Sequence, residues 1–167
     1  RPGSPGDVAL AGDVERELRR VLPGVAVERR VTSAPTIDGD RDLVLVTAQQ
    51  PGSTPKAQIV LVASRDAARP GSKAELSGTA VLLELARVIA DARPARSVTF
   101  ASVSGGTGGQ GGVRALADDL ARPVDALIEL GDLAGPQASR PLVVGLSNGV
   151  GAAPIRLQRT VALALRQ

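Results

Sequence analysis

The chain has no histidine and no cysteine, and these two absences exclude much of the chemistry that proteins commonly perform. Histidine is the most frequent general base and metal ligand near neutral pH. Cysteine would supply a disulfide, a thiolate ligand or a nucleophile. Any metal site in this sequence must therefore use oxygen ligands, which suit Mg²⁺ or Ca²⁺ better than zinc.

Aromatic residues are almost absent: the 167 residues include one Phe, no Trp and no Tyr. Met is absent as well. Nucleic-acid-binding surfaces usually combine a basic face with aromatic side chains. Here the 20 basic and 17 acidic residues are interspersed and give a net charge of +3. We therefore expect no nucleic-acid partner; a protein or peptide partner is compatible with this composition.

Long apolar runs are missing as well. None reaches the roughly 18 residues that a membrane span requires, so we expect no membrane insertion by these residues. The chain begins at Arg1 and contains no Met. We interpret it as a single domain, 1–167, cut from a longer protein.

The stretch 58–87 organises the predicted fold. A short apolar run with Ile59, Val60 and Val62 indicates a strand buried on both faces. Ser77 and Gly78 then open a segment of helical periodicity. A strand, a loop and a helix in this order form the unit in which α/β proteins place their sites, at the carboxyl end of the strand.

Other segments continue the alternation of strands and helices. Asp7 is a plausible N-cap of a first helix, which Pro23 and Gly24 end. A turn is expected over 34–40 and a short helix over 113–120, with further strands over 25–31, 42–47, 97–103, 125–130 and 142–146, and a closing helix from Pro154. This order predicts an α/β fold with a mixed sheet.

The organising stretch resembles the metal-binding core of the M28 family of zinc aminopeptidases. Members read strand–His-x-Asp, then a Gly-rich loop ending Asn-Asp-Asn-Ala-Ser-Gly, then a helix rich in Ala and Leu. Ser77-Gly78-Thr79 and the helix after it keep this pattern. The resemblance implies a three-layer α/β sandwich with a mixed, largely parallel sheet of the zinc-exopeptidase (phosphorylase/hydrolase-like) type. Catalytic domains of the family are longer, so it also implies a truncated domain.

The positions of the family's metal ligands are altered in this chain. Ser64 stands where the ligand His would be, Ala74 replaces the bridging Asp, and Asp66 is retained. The Glu-Glu pair, which supplies the general base and a ligand, falls on Gly105 and Gly106. A later Asp ligand falls on Gly131, with Asp132 one place on. The resemblance thus implies a vestigial metal site, with no catalytic residues, no metal and no cofactor.

Two alternatives stay open. The first is a zinc-dependent aminopeptidase whose remaining ligands lie outside these residues; within them, Asp66, Glu75, Glu129 and Asp132 are the carboxylates near the strand ends. The second is a nucleotide-binding domain, because Gly106, Gly108 and Gly111 match the spacing of the dinucleotide fingerprint, with Glu129 about twenty residues later.

The expected function is a non-catalytic, M28-like binding or structural module. By analogy with the family, it would be the extracytoplasmic part of a larger, membrane-anchored protein. The glycine run 105–112 is expected to be a mobile loop, since the glutamate that ties the equivalent loop to metal is missing.

Overall fold

A computed structural model describes residues 1–67, 76–107, 109–121, 123–134 and 154–164 of the chain. The chain divides into two compact units, Arg1–Gly135 and Pro136–Gln167. The single domain expected for 1–167 stays a prediction. The predicted strand over 142–146 lies outside the described residues.

Eight elements lie in the described part of the first unit, and their order matches the predicted alternation. In chain order they are α1 (Pro5–Val21), β1 (Val27–Thr36), β2 (Gly39–Gln50), β3 (Thr54–Ser64), α2 (Ser77–Ile89), β4 (Arg96–Val103), α3 (Gly111–Asp119) and β5 (Val124–Leu130). In the second unit, helix α4 spans Ile155–Ala164, and Pro154 precedes it as predicted.

The strands form one mixed sheet in the order β1-β2-β4-β3-β5. The β1/β2 and β2/β4 pairs are antiparallel, whereas β3 runs parallel to both β4 and β5. This confirms the α/β class with a mixed sheet. Because β4, β3 and β5 are parallel neighbours, the loops that follow them emerge at the same edge of the sheet.

Helices cover both faces of the sheet and complete three layers. On one face, α1 and α2 pack through residues such as Leu18 and Leu82 against Phe100, the single aromatic residue. On the other face, α3 packs through Leu116 against alternate residues of the same strands, such as Val60. This alternation reflects the two-residue period of a strand. The three-layer sandwich is confirmed.

The β1–β2 hairpin is longer than the sequence predicts. A turn was expected over 34–40, but the strands pair as far as Thr36 and Gly39. Gly39 accommodates the tight reversal with a φ of +86°. The Thr36 hydroxyl stabilises it, donating to the carbonyl oxygen of Gly39 at 2.7 Å and accepting from the amide of Asp38 at 3.2 Å.

The start of α1 also differs from the prediction. Ser4, not Asp7, is the N-cap, and its Oγ accepts a hydrogen bond from the Asp7 amide at 3.3 Å. Pro5 fits the first helical turn, where its missing N–H costs nothing. Asp7 lies inside that turn and is buried, which places its carboxylate next to the edge described below.

Candidate functional site

The ends of β3, β4 and β5 bring most of the predicted site positions to one edge of the sheet. We call these positions the strand-end site: Ser64 at the end of β3 and Asp66 after it, Gly105 and Gly106 after β4, and Gly131 and Asp132 after β5. Ala74 and Glu75, also singled out in the sequence, lie outside the described residues. β3 pairs in parallel with both β4 and β5, so the ends of the three strands meet at this edge.

Asp66 holds the loop after β4. Its side chain is buried, Oδ1 accepts a hydrogen bond from the amide of Gly106 at 3.0 Å, and Oδ2 accepts one from the amide of Thr107 at 3.1 Å. Consecutive backbone amides that converge on an anion satisfy its charge much as an anion-binding nest does. Asp66 therefore acts as a loop anchor in this structure.

Gly106 packs directly on Ser64. A Cβ added to Gly106 would lie 2.6 Å from the Ser64 Cβ and nearer still to its Oγ. The Ser64 Oγ is buried and has no hydrogen-bond partner among the residues that the structure describes. The Ser64 side chain thus occupies the space into which a glutamate at position 106 would project.

Gly105 also requires glycine. Its φ is +80°, in the left-handed region that favours glycine. A Cβ there would lie 2.7 Å from the Leu43 Cδ1. Neither position of the family's Glu-Glu pair can therefore carry a glutamate unless the surrounding structure shifts.

The second half of the glycine run is packed as well. The amide of Gly111 donates to the carbonyl oxygen of Gly105 at 3.1 Å, and both Gly111 and Gly112 are buried at the start of α3. A Cβ on Gly112 would overlap the carbonyl oxygen of Ser104. These contacts hold both ends of the run in place of a glutamate, and the mobility expected for 105–112 stays a prediction; Gly108 lies outside the described part of the chain.

The loop after β5 is held by the start of α2. Ser77 Oγ accepts hydrogen bonds from the amides of Leu133 at 2.7 Å and Ala134 at 3.2 Å. A Cβ on Gly78 would overlap the carbonyl oxygen of Leu130. Asp132 is exposed and makes no hydrogen bond or ion pair with another described residue. The Ser-Gly pair kept from the family pattern thus serves as packing between helix and strand end.

A buried ion pair adjoins this edge, and sequence reasoning missed it. The Arg65 Nε lies 3.0 Å from the Asp7 Oδ1, with both side chains almost fully inaccessible. Arg65 also donates from Nη1 to the carbonyl oxygen of Ser102 at 2.9 Å, and the Ser104 hydroxyl donates to the Asp7 Oδ2 at 2.6 Å. These contacts join the first turn of α1 to the ends of β3 and β4.

The electrostatics of the ion pair affect the neighbouring site. Burial lowers the pKa of Arg65, since desolvation disfavours its charged form, while Asp7 and then Asp66 oppose that shift. The guanidinium thus contributes a positive charge that interacts with Asp66, and positive charge disfavours cation binding nearby. Asp7 was visible in the sequence only as a helix-terminal acid, and no local pattern pairs it with Arg65.

The residues that the structure describes do not fit a catalytic zinc ion. Such a site needs about three protein ligands and an open position for water. Within the described ranges, no three residues of the His, Cys, Asp or Glu type come together in a way that could hold a metal ion. Asp66 already accepts two backbone hydrogen bonds, and the side chains of Leu43 and Ser64 fill the space beside Gly105 and Gly106.

Comparison with known proteins identifies the fold. No family model and no curated protein matches the sequence. A leucine aminopeptidase precursor from Bacteroides thetaiotaomicron superposes with a TM-score of 0.67 at 16% identity, covering 81% of this chain and 57% of its own. A Zn-dependent exopeptidase from Parabacteroides distasonis gives 0.64 at 18% identity, covering 80% and 56%. Macrostomum lignano glutaminyl cyclase gives 0.63 at 18% identity, covering 78% and 47%.

These matches define the class of fold. The chain has the α/β fold of zinc exopeptidases and glutaminyl cyclases, as the resemblance in its sequence implied. It spans about half the length of these solved structures, between 47% and 57%. The TM-scores support a shared architecture, but the identities are below 20%. The activity therefore has to be argued from the site.

Proposed function

We propose that this chain is a non-catalytic module that keeps the exopeptidase fold and uses its former metal edge as a structural junction. The observation that carries the proposal is the contact between Asp66 and the amides of Gly106 and Thr107. In the resemblance drawn from sequence, Asp66 is what remains of the His-x-Asp pair, and Gly106 is one of the positions on which the Glu-Glu pair falls. Here the two positions bind each other.

The chemistry of peptide hydrolysis supports the same conclusion. A metallopeptidase needs a Lewis-acidic metal and a base that activates the attacking water. The base would project from the loop after β4, where Gly105 and Gly106 are both closely packed. Asp132 is exposed and has no partner among the described residues, and one exposed carboxylate supplies neither function.

The two alternatives lack comparable support. A zinc aminopeptidase would require ligands from elsewhere to displace the amide contacts of Asp66. A nucleotide-binding loop would require the N-terminus of α3 to be open to a phosphate. A Cβ at Gly111 would instead lie 2.9 Å from the Ala34 Cβ and 3.2 Å from the Pro35 carbonyl oxygen, so β1 covers this end of the helix.

The setting of the module is proposed by analogy with the family. We place it in the extracytoplasmic part of a larger, membrane-anchored protein, with a protein or peptide as its partner. Among the described residues, no helix combines the length and apolar character required to cross a bilayer.

Activity measurements test the proposal. The chain, supplied with Zn²⁺ or Mn²⁺, would be assayed with leucine p-nitroanilide and with a peptide that begins with glutamine, which cover the activities named for the structural neighbours. We expect no turnover above that of Asp66→Asn. Turnover that Asp66→Asn abolishes and an exposed control such as Glu84→Gln retains would contradict the non-catalytic proposal.

A further inference from the structure

A cavity of about 440 Å³ lies on the α3 face of the sheet, where β3 and β4 begin. The strand-end site lies where these strands end, so the two features occupy opposite edges. Three side chains, Gln49, Gln58 and Thr99, line the cavity from adjacent strands. We call it the amide cavity. Ligand cavities commonly measure about 300–1,000 Å³, so this one has the size for a small ligand.

The three polar side chains form a connected hydrogen-bond cluster. The Gln49 Nε2 donates to the Gln58 Oε1 at 2.9 Å and to the Thr99 Oγ1 at 3.0 Å. The Thr99 hydroxyl donates to the same Gln58 oxygen at 2.7 Å. Gln58 and Thr99 are almost fully buried. Both hydrogens of the Gln49 side-chain amide donate within the cluster. Its carbonyl oxygen is therefore the Gln49 atom that can accept a hydrogen bond from a ligand.

Polar residues are unusual on this face of the sheet. The same face carries aliphatic residues two positions after Gln58 and Thr99, at Val60 and Ala101, and four positions before Gln49, at Leu45. Burying amides and hydroxyls costs free energy unless they are hydrogen-bonded, and aliphatic side chains would fill the same space without that cost. A polar floor beneath apolar walls, among them Leu116 and Leu120, is the arrangement typical of small-molecule sites.

Charged residues line the rim of the cavity. Arg30 is engaged by Asp119, with a 2.5 Å hydrogen bond from Nη1 to Oδ1, and it also donates to the carbonyl oxygen of Ala115 at 3.3 Å. Glu28 lines the same cavity and is exposed, and it forms no ion pair with another described residue. Thr47, directly opposite Glu28 in the β1/β2 ladder, continues the polar row towards Gln49.

We propose that the amide cavity binds a small organic cation that carries several N–H or O–H donors. Its donors would reach the Gln49 carbonyl oxygen and the Thr99 hydroxyl, and its positive charge would lie beside Glu28. The proposal is independent of the non-catalytic function, because the cavity uses no residue of the strand-end site.

Nuclear magnetic resonance titration of the 167-residue chain tests this inference. The probes are glucosamine and agmatine at millimolar concentration, and glucose is the neutral counterpart of glucosamine. We expect saturable shifts of the side-chain amide signals of Gln49 and Gln58 with the two cations and much weaker shifts with glucose. Glu28→Gln should weaken the affinity for glucosamine at least about threefold, as expected for a partly exposed charge pair.

Two further variants separate the cavity from general charge effects. Thr99→Val removes the hydroxyl at nearly constant volume and should suppress the shifts at Gln49, provided that the spectrum remains that of the folded chain. Glu84→Gln removes an exposed carboxylate on α2, across the sheet from the cavity, and should leave the affinity unchanged. The proposal is overturned if neither cation gives saturable shifts at the cavity, if glucose binds as well as glucosamine, or if Glu28→Gln and Glu84→Gln have equal effects.

Discussion

Replacing Asp66 by alanine should destabilise the fold through the loop after β4. The substitution removes the acceptors of two backbone hydrogen bonds, from Gly106 at 3.0 Å and Thr107 at 3.1 Å. Hydrogen bonds to charged groups contribute about 1.5–3 kcal/mol each. Because the loop can open and let water satisfy its amides, we expect a loss of about 2–4 kcal/mol in the free energy of unfolding. Loss of the negative charge also removes an interaction that stabilises the guanidinium of Arg65.

Urea unfolding of wild type, Asp66→Ala, Asp66→Asn and Asp132→Asn measures this effect. Asp66→Asn retains one carbonyl acceptor and should lose less than Asp66→Ala. Asp132→Asn, exposed and unpartnered among the described residues, should stay within about 0.5 kcal/mol of wild type. Hydrogen exchange at Gly106 and Thr107 should be slow in wild type and fast in Asp66→Ala. A carboxylate kept for metal binding would behave differently, because removing it often stabilises the metal-free protein. Unchanged or increased stability of Asp66→Ala would refute the loop-anchor role.

Two other predictions concern the same edge of the sheet. Gly106→Ala should lower the free energy of unfolding by about 1–3 kcal/mol by overpacking against Ser64. Adding Ser64→Gly should recover most of that loss. Thermal melts of the single and double variants would contradict the packing argument if the two effects were additive. Arg65→Met should lower the free energy of unfolding by about 3–5 kcal/mol because it leaves the Asp7 carboxylate buried without its cation. The double variant Asp7→Leu/Arg65→Met should lose less than the sum of the two single changes. Full additivity in denaturant titrations would show that the two side chains are not coupled.

Much of the fold was predictable because its signals are local. The apolar run at Ile59–Val62 and the helical periodicity after Ser77 identify β3 and α2, and a strand followed by a helix favours parallel pairing. The hairpin turn was harder to place. Thr36 and Gly39 stabilise a tight turn formed by Ile37 and Asp38. The turn-forming composition over 34–40 does not show at which residue the pairing of β1 with β2 stops.

The candidate site was predictable as a location and less so as a set of contacts. Parallel strands had to bring Asp66, Gly106 and Asp132 to one edge. The partners of Asp66, however, are backbone amides, which every non-proline residue offers, so the sequence carries no signal for them. The pairing of Asp7 with Arg65 spans 58 positions and depends on how α1 packs on the sheet. The joint burial of the two charges depends on tertiary packing, which the hydrophobic periodicity of the sequence does not predict.

The metal content of the chain tests the central claim most directly. Protein purified without chelators and then exposed to Zn²⁺ would be desalted and analysed for bound metal, and a calorimetric titration would give the stoichiometry. With Asp66 engaged by two amides and no three potential ligands grouped among the described residues, we expect well below one zinc ion per chain. Near-stoichiometric zinc that is lost in Asp66→Asn or Asp132→Asn would show that the strand-end site still binds metal and would contradict the account.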